Sequence, residues 1–150
     1  MFRGVNQINM DAKGRLAIPA RYRDEITDEC AGKMVLTIDA EDSCLLLYPV
    51  DEWEKIQAKL DALPSLNKTT RRLQRLLVGH ATDVDMDGNG RILVPSVLRE
   101  YAALDKKVML VGQGRKFEMW DEDTWNDLRT RYLEEDDDDE LPEMLQNLSL

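Results

Sequence analysis

Histidine is nearly missing from this chain and cysteine is scarce: one His80, and Cys30 and Cys44, among 150 residues. A lone imidazole excludes a two-histidine metal site, and no serine carries an Asp/His partner set in its sequence context. The cysteines lack a Cys-x-x-Cys spacing and read as two reduced thiols, packed as small hydrophobes. His80, directly after Gly79, reads as a helix-end residue. Long apolar runs are also lacking. None approaches the roughly 20 residues of a membrane span, and the N-terminus has no apolar core of a signal peptide. These absences predict a cytoplasmic chain that is not an enzyme and needs no cofactor or metal.

What the chain does have is a sentence spoken twice. Met10-Asp-Ala-Lys-Gly-Arg-Leu-Ala-Ile-Pro-Ala-Arg-Tyr-Arg23 returns as Met86-Asp-Gly-Asn-Gly-Arg-Ile-Leu-Val-Pro-Ser-Val-Leu-Arg99. The correspondence continues, with Lys33-Met-Val-Leu36 on Lys107-Val-Met-Leu110 and Leu45-Leu-Leu-Tyr48 on Phe117-Glu-Met-Trp120. Asp51-Glu-Trp53 and Asp123-Thr-Trp125 follow in turn. A tandem duplication of units near the lower size limit for a self-sufficient core implies that the two copies share one core, or share it with neighbouring chains. The boundaries read as a first repeat over 1–63, a linker helix over 64–80, a second repeat over 81–133 and an acidic tail over 134–150.

Charge is distributed unevenly. The formal net charge is −10, which taken alone disfavours a nucleic-acid partner. Residues 134–150 hold eight acids and no base, however, and residues 1–133 are close to neutral at −2. In the first 23 residues Arg3, Lys13, Arg15, Arg21 and Arg23 face only Asp11, whereas over 81–99 Arg91 and Arg99 face Asp83, Asp85 and Asp87. Local clusters, not bulk pI, make an electrostatic footprint. The first repeat is the basic one. The tail has little to bury and repels itself, which predicts disorder, with the apolar end Leu141–Leu150 either docking in a groove or forming a short frayed helix.

Each repeat reads as strand, tight turn, strand, helix, two further strands and an outer helix. In the first copy the strands fall at Val5–Met10, Arg15–Ile18, Met34–Ile38 and Cys44–Tyr48, with a helix at Ala20–Glu29 broken by Gly32. A second helix runs to about Leu63 with Asp51 as N-cap. In the second copy strands lie near 81–86, 90–94, 107–112 and 116–120, and helices near 96–103 and 122–133. Gly112-Gln-Gly114 reads as a hairpin turn. Between the copies, Asn67–Val78 reads as a helix with Leu73, Leu76 and Leu77 on one face and Lys68, Arg71, Arg72 and Arg75 on a solvated one. Trp53, Trp120 and Trp125 read as core or interface anchors. Asp83-Val-Asp-Met-Asp-Gly88 opens like a calcium loop, but its twelfth place is Val94 and a strand follows, which excludes that reading.

The side chains that packing leaves unexplained belong to the turns. Asp11-x-Lys13-Gly14-Arg15 and Asp87-x-x-Gly90-Arg91 set a long cation just after a tight turn, with an acid four residues before it. Either the pair braces a hairpin, or the arginine fork reaches a guanine edge or a phosphate.

Strand, Asp-x-x-Gly-Arg turn, Leu-x-Ile-Pro run and helix together resemble the SpoVT–AbrB swapped-hairpin DNA-binding superfamily. The doubled motif, with Met1-Phe-Arg-Gly4, Leu45-Leu-Leu-Tyr-Pro49 and Arg75-Leu-Leu-x-Gly79-His80, resembles the MraZ family within it, over residues 1–133. The resemblance implies an α+β fold in which two AbrB-like units form a pseudo-twofold swapped-hairpin β-barrel with flanking helices. It implies a nucleoid-associated transcriptional regulator of the division and cell-wall gene cluster, including its own promoter. It further implies a ring-shaped homo-oligomer whose subunits present their loops to short G-containing direct repeats in double-stranded DNA, with Trp53 and Trp125 anchoring ring contacts. Carried onto this chain, the motif falls on Arg15 and Arg91, with Arg23 after the proline step; the local basic cluster adds Arg3, Lys13 and Arg21 as DNA contacts, and Arg91 ranks behind them all. Asp11, Gly14, Asp87 and Gly90 orient the loops. The rival reading is a non-enzymatic scaffold or antitoxin-like protein-binding module acting through the acidic tail.

Overall fold

The computed structural model describes residues 1–135 and 143–148. The first repeat supplies β1 (Phe2–Asn9), β2 (Arg15–Ala17), α1 (Ala20–Cys30), β3 (Lys33–Ile38), β4 (Leu45–Pro49) and α2 (Val50–Asp61). α3 (Lys68–Leu73) follows and runs into a π-helical turn, Gln74–Val78. The second repeat supplies β5 (Thr82–Asp85), β6 (Arg91–Leu93), α4 (Ser96–Tyr101), β7 (Lys107–Gly114), β8 (Phe117–Asp121) and α5 (Glu122–Glu134). One further turn, α6 (Glu143–Gln146), lies near the C-terminus. The acidic run 136–142 lies outside the described residues, so the expectation of a disordered tail is not addressed there.

The architecture is α+β, and its strands are exchanged between repeats. β1 pairs with β7 of the second repeat, Phe2 opposite Gly114 and Asn9 opposite Lys107. Reciprocally, β5 pairs with β3 of the first, Met34 opposite Val84. β4 and β8 join the two halves, giving an antiparallel sheet in the order β1-β7-β8-β4-β3-β5. The short strands β2 and β6 form a separate antiparallel ribbon. Equivalent positions meet at its centre, Leu16 opposite Ile92, so the pairing is the same read from either repeat.

Period-two alternation in β3, β4, β7 and β8 explains two buried layers. Leu36, Leu45, Leu47, Leu110, Phe117 and Met119 face the ribbon, where Leu16, Ile92, Ile18 and Val94 close the core with Ile26 of α1 and Leu98 of α4. Val35, Leu46, Tyr48, Val111 and Trp120 face the other way and are covered by Trp53, Trp125 and Leu128 of the outer helices. Each such side chain contributes roughly 1.5–3 kcal/mol of burial. Trp53 is 4 % exposed. It is thus a core residue of its own chain, not an anchor for a neighbour.

Several local expectations need correction. α2 is capped by Pro49, not Asp51; the proline has no N–H to satisfy and a fixed φ, and Asp51 sits in the first turn. Ala31 (φ 55°), ahead of Gly32, takes the left-handed position that ends α1. Gly112 lies within β7, because a Cβ there would come 2.5 Å from the Arg3 backbone N. The hairpin turns at Arg115–Lys116, where Gln113 N–H bonds Lys116 O at 2.9 Å. The linker helix is continuous over 68–78 but widens to π winding at Gln74: Gly79 N–H reaches Gln74 O, and the Leu77 carbonyl takes the buried Thr37 hydroxyl at 2.6 Å. Its apolar side is split, Leu76 joining the ribbon-side core while Leu77 and Val78 join the outer one. His80 Nδ1 meets Leu76 O at 2.8 Å, the helix-end role its position predicts.

Candidate nucleic-acid interface

The exchange of strands puts the turns Asp11–Gly14 (loop 1) and Asp87–Gly90 (loop 2) at the two ends of the β2–β6 ribbon. Their backbones are the same. Asp11 Oδ1 accepts the amides of Lys13 and Arg15, both at 2.9 Å, and Asp87 Oδ1 accepts those of Asn89 and Arg91 at the same distance. These bonds hold both carboxyls below the usual carboxylate range, the amide of Arg15 acting most on Asp11 and that of Arg91 most on Asp87. Each loop is also tied to the other repeat. Gly14 O accepts from Val94 N–H at 2.8 Å, and Gly90 O from Ile18 N–H at 2.7 Å.

Glycine is required at both turns, at φ +90° in Gly14 and +75° in Gly90. A Cβ on Gly14 would lie 2.7 Å from both Val94 O and Arg99 Nε, and one on Gly90 would strike Arg23 Nε. At each turn an arginine from the opposite repeat packs against the glycine and fills the space a side chain would need. Arg23 Nε also donates to Ile18 O at 2.7 Å, so this side chain braces loop 2 and is half-buried.

The two loops differ beyond the backbone. Arg15 Nε donates to Asp11 Oδ2 at 2.9 Å. The pair is 45 % and 41 % exposed, and such solvent-screened surface pairs contribute little to stability. It aims the guanidinium more than it stabilises the fold. Both terminal nitrogens of Arg15 stay free of protein partners among the described residues. Arg91 has no such tether. Leu16 and Ile92 point inward, so Arg15, Leu93, Ala17 and Arg91 share the outer face of the ribbon, Arg15 opposite Leu93 and Ala17 opposite Arg91. Diagonal neighbours of this kind lie roughly 7–8 Å apart, and Arg15 in turn contributes to lowering the Asp87 carboxyl.

Of the remaining predicted cations, Lys13 is exposed at the loop 1 tip. Arg21 is engaged elsewhere: its Nη2 donates to Asn6 Oδ1 at 2.9 Å and to Tyr22 OH at 2.6 Å. The Tyr22 hydroxyl donates to Arg3 O. Arg3 lies near the start of β1, seven residues of strand from Met10, which at about 3.3 Å per residue is some 20 Å from the loop. Arg15 and Arg91 share the ribbon's outer face, with Lys13 beside Arg15 on the loop 1 tip; Arg3 and Arg21 form a separate group, and Arg23 supports the fold. The linker cation Arg71 is likewise occupied, donating to Ser65 O and Leu66 O.

Sequence reading passed over the cations that the second repeat brings beside loop 1. A cleft of about 530 Å³ is lined by Asp11 and Ala12 together with Arg99, Lys106 and Lys107. Strand exchange was the signal that would have found them. Away from the ribbon, Asp39, Cys44 and Glu118 bring ligand atoms within 4.8 Å of one another. Burial pushes the Cys44 thiol up, so a metal there would have to displace a tightly held proton.

Comparison with known proteins matches the chain twice to one family profile, "MraZ protein, putative antitoxin-like", over residues 1–76 and 77–148. The proteins named "Transcriptional regulator MraZ" from Pseudomonas putida, Pseudomonas entomophila and Pseudomonas aeruginosa are each 64 % identical to it over 126 residues, 84 % of this chain and 83 % of theirs. No helix among the described residues is long and apolar enough to cross a membrane. With both halves matched and that identity across most of its length, the chain belongs to the MraZ family.

Proposed function

We propose that this chain is a sequence-specific, double-stranded-DNA-binding transcriptional regulator. The observation that carries the reading is an exposed β-ribbon presenting Arg15, pre-aimed by Asp11, with both terminal guanidinium nitrogens free. A two-stranded ribbon fits the major groove, and an arginine fork there matches guanine O6 and N7. Lys13 adds a phosphate contact. Loop 2 reads more weakly, because Arg91 is untethered and Asp83 and Asp85 replace the Gln7 and Asn9 of the first repeat. Arg3 and Arg21 reach DNA only where it wraps along β1. Arg23 serves through loop 2, whose turn it supports.

In this reading the ribbon, α1, α4 and the six-stranded sheet around the inner core make a pseudo-twofold swapped-hairpin barrel. One loop 1 per chain binds weakly, and a ring-shaped homo-oligomer gains strength by presenting several to short G-containing direct repeats. The regulator acts from the cytoplasm and nucleoid on the division and cell-wall gene cluster, its own promoter included. The eight acids of residues 134–150 favour a second reading, an antitoxin-like module binding a basic protein.

A mobility-shift titration with DNA from upstream of its own gene, at two salt concentrations, tests the proposal. Specific shifts that vanish in Arg15→Ala and persist after truncation at Leu133 support DNA reading. The reverse pattern, with a basic partner lost on truncation, supports the antitoxin-like one.

A further inference from the structure

The cleft beside loop 1 has chemistry that base reading by Arg15 does not use. Its apolar lining is Met10, Ala12 and Leu104, and its charged lining sets Arg99, Lys106 and Lys107 of the second repeat against two carboxylates, Asp11 and Asp105. Neither lysine side chain forms an ion pair among the described residues. This holds although Asp105, Asp121, Glu122 and Asp123 line the neighbouring groove that both lysines share. Arg99 Nε is buried without a hydrogen-bond partner, whereas its counterpart Arg23 uses the same atom on Ile18 O.

The other end of the ribbon lacks this lining. Met10 N–H bonds Lys106 O, and Met86 N–H bonds Gly32 O, both at 2.8 Å, so glycine stands where loop 1 has Lys106. Lys33 corresponds to Lys107, but it faces Asp85 across the ladder while Lys107 faces Asn9. The cationic cleft is thus a property of loop 1 alone, and it exists only because the repeats exchange strands.

We propose that this cleft binds a DNA backbone phosphate, held by Lys106 and Lys107 of the second repeat beside the base that Arg15 of the first repeat reads. Ammonium groups suit a phosphate as point charges with rotatable donors. Such contacts fix register on the duplex and carry no sequence information themselves. The inference rests on the loop 1 reading above, and the test separates the two.

The full chain and its K106Q/K107Q and R15A variants are titrated by fluorescence anisotropy against the upstream duplex and a random duplex over a range of salt. The lysine variant is expected to lose the same factor of affinity for both duplexes, with their ratio kept. Its salt slope should fall by about 0.9 for each phosphate contact removed. R15A is expected to lose the ratio. Unchanged affinity and slope in K106Q/K107Q, while R15A loses the ratio, overturns the phosphate site and leaves the base reading standing. An intact ratio in R15A overturns both. A slope change in K33Q as large as in the lysine pair also overturns the proposal, since it removes the asymmetry. Inorganic phosphate titrated into the full chain, followed by amide shifts at Lys106 and Lys107, is expected to bind at millimolar concentration or weaker. Tight saturation would assign the cleft to a free anion instead.

Discussion

The two ends of the β2–β6 ribbon have one backbone and two characters. Both turns place an aspartate oxygen on two amides and a glycine against an arginine of the opposite repeat. Loop 1 adds Lys13, the Asp11–Arg15 pair and the lysines of the second repeat; loop 2 has Asn89, a free Arg91 and nearby aspartates. What is shared is what the fold needs, and what differs is what a ligand meets. A duplicated chain can hold the first constant while changing the second on one side only.

The harshest way to break the comparison is at the glycines. Among the three nearest atoms that a Cβ would meet, Gly14→Ala finds a backbone carbonyl, Val94 O, at 2.7 Å, while those of Gly90→Ala all belong to the side chain of Arg23. Left-handed backbone alone costs about 1–2 kcal/mol, and at loop 1 the Val94 carbonyl, unlike a side-chain end, cannot swing aside to relieve the added clash. Gly14→Ala should lower the melting temperature more than Gly90→Ala and abolish specific binding; equal melting shifts would show that Val94 yields as readily as Arg23.

Next comes Arg15→Ala, which removes an exposed side chain and should leave the melting temperature within a degree or two. Specific DNA affinity should fall by roughly 1–3 kcal/mol per engaged loop, and Arg91→Ala should cost less in the same titration. A larger loss from Arg91 would reverse the ranking of the loops. Lys13→Ala should reduce the salt slope by about 0.9 with little loss of sequence preference, whereas Asn89→Ala should leave the slope where it was.

The smallest expected effect is acidification. The folded Asp11 and Asp87 carboxyls titrate below their ordinary value of 3.8. Their contribution to the loops is therefore present above that value and lost as pH falls through the lower, folded one. Binding that depends on either turn should be flat from neutral pH down to about that value. Carboxyl chemical shifts followed by NMR check it, and a midpoint near 6 for either residue would contradict the hydrogen bonding described.

The duplication, the turns and the proline-stopped strands were legible because each is a local pattern. Pro19 and Pro95 end their strands for reasons contained in their own rings, and the alternation in β3 and β4 predicts strands without reference to partners. Pairing was not local. Nothing within Phe2–Asn9 says that its hydrogen bonds go to Lys107–Gly114 and not to the adjacent Arg15–Ala17. Only the superfamily resemblance implied an exchange. For the same reason Arg23 read as a DNA contact although it packs against Gly90 of the other repeat, and Lys106 and Lys107 were not counted among the DNA-contacting cations. The turn around Gly112 was misplaced because the close approach of Arg3 comes from the far end of the chain.

That exchange has a consequence for how the molecule comes into being. Phe2 is made more than a hundred residues before its ladder partner Gly114. Until β7 is made β1 has no edge to join, and one edge of β3, paired with β4 on the other, waits for β5. Pairings so distant in sequence form slowly, and the unsatisfied edges of a nascent first repeat match those of any other nascent copy nearby. Neighbouring ribosomes on one message are the place where this fold is most exposed to joining the wrong chain, and the short span from β3 to β5 is what lets at least one half of the exchange close early.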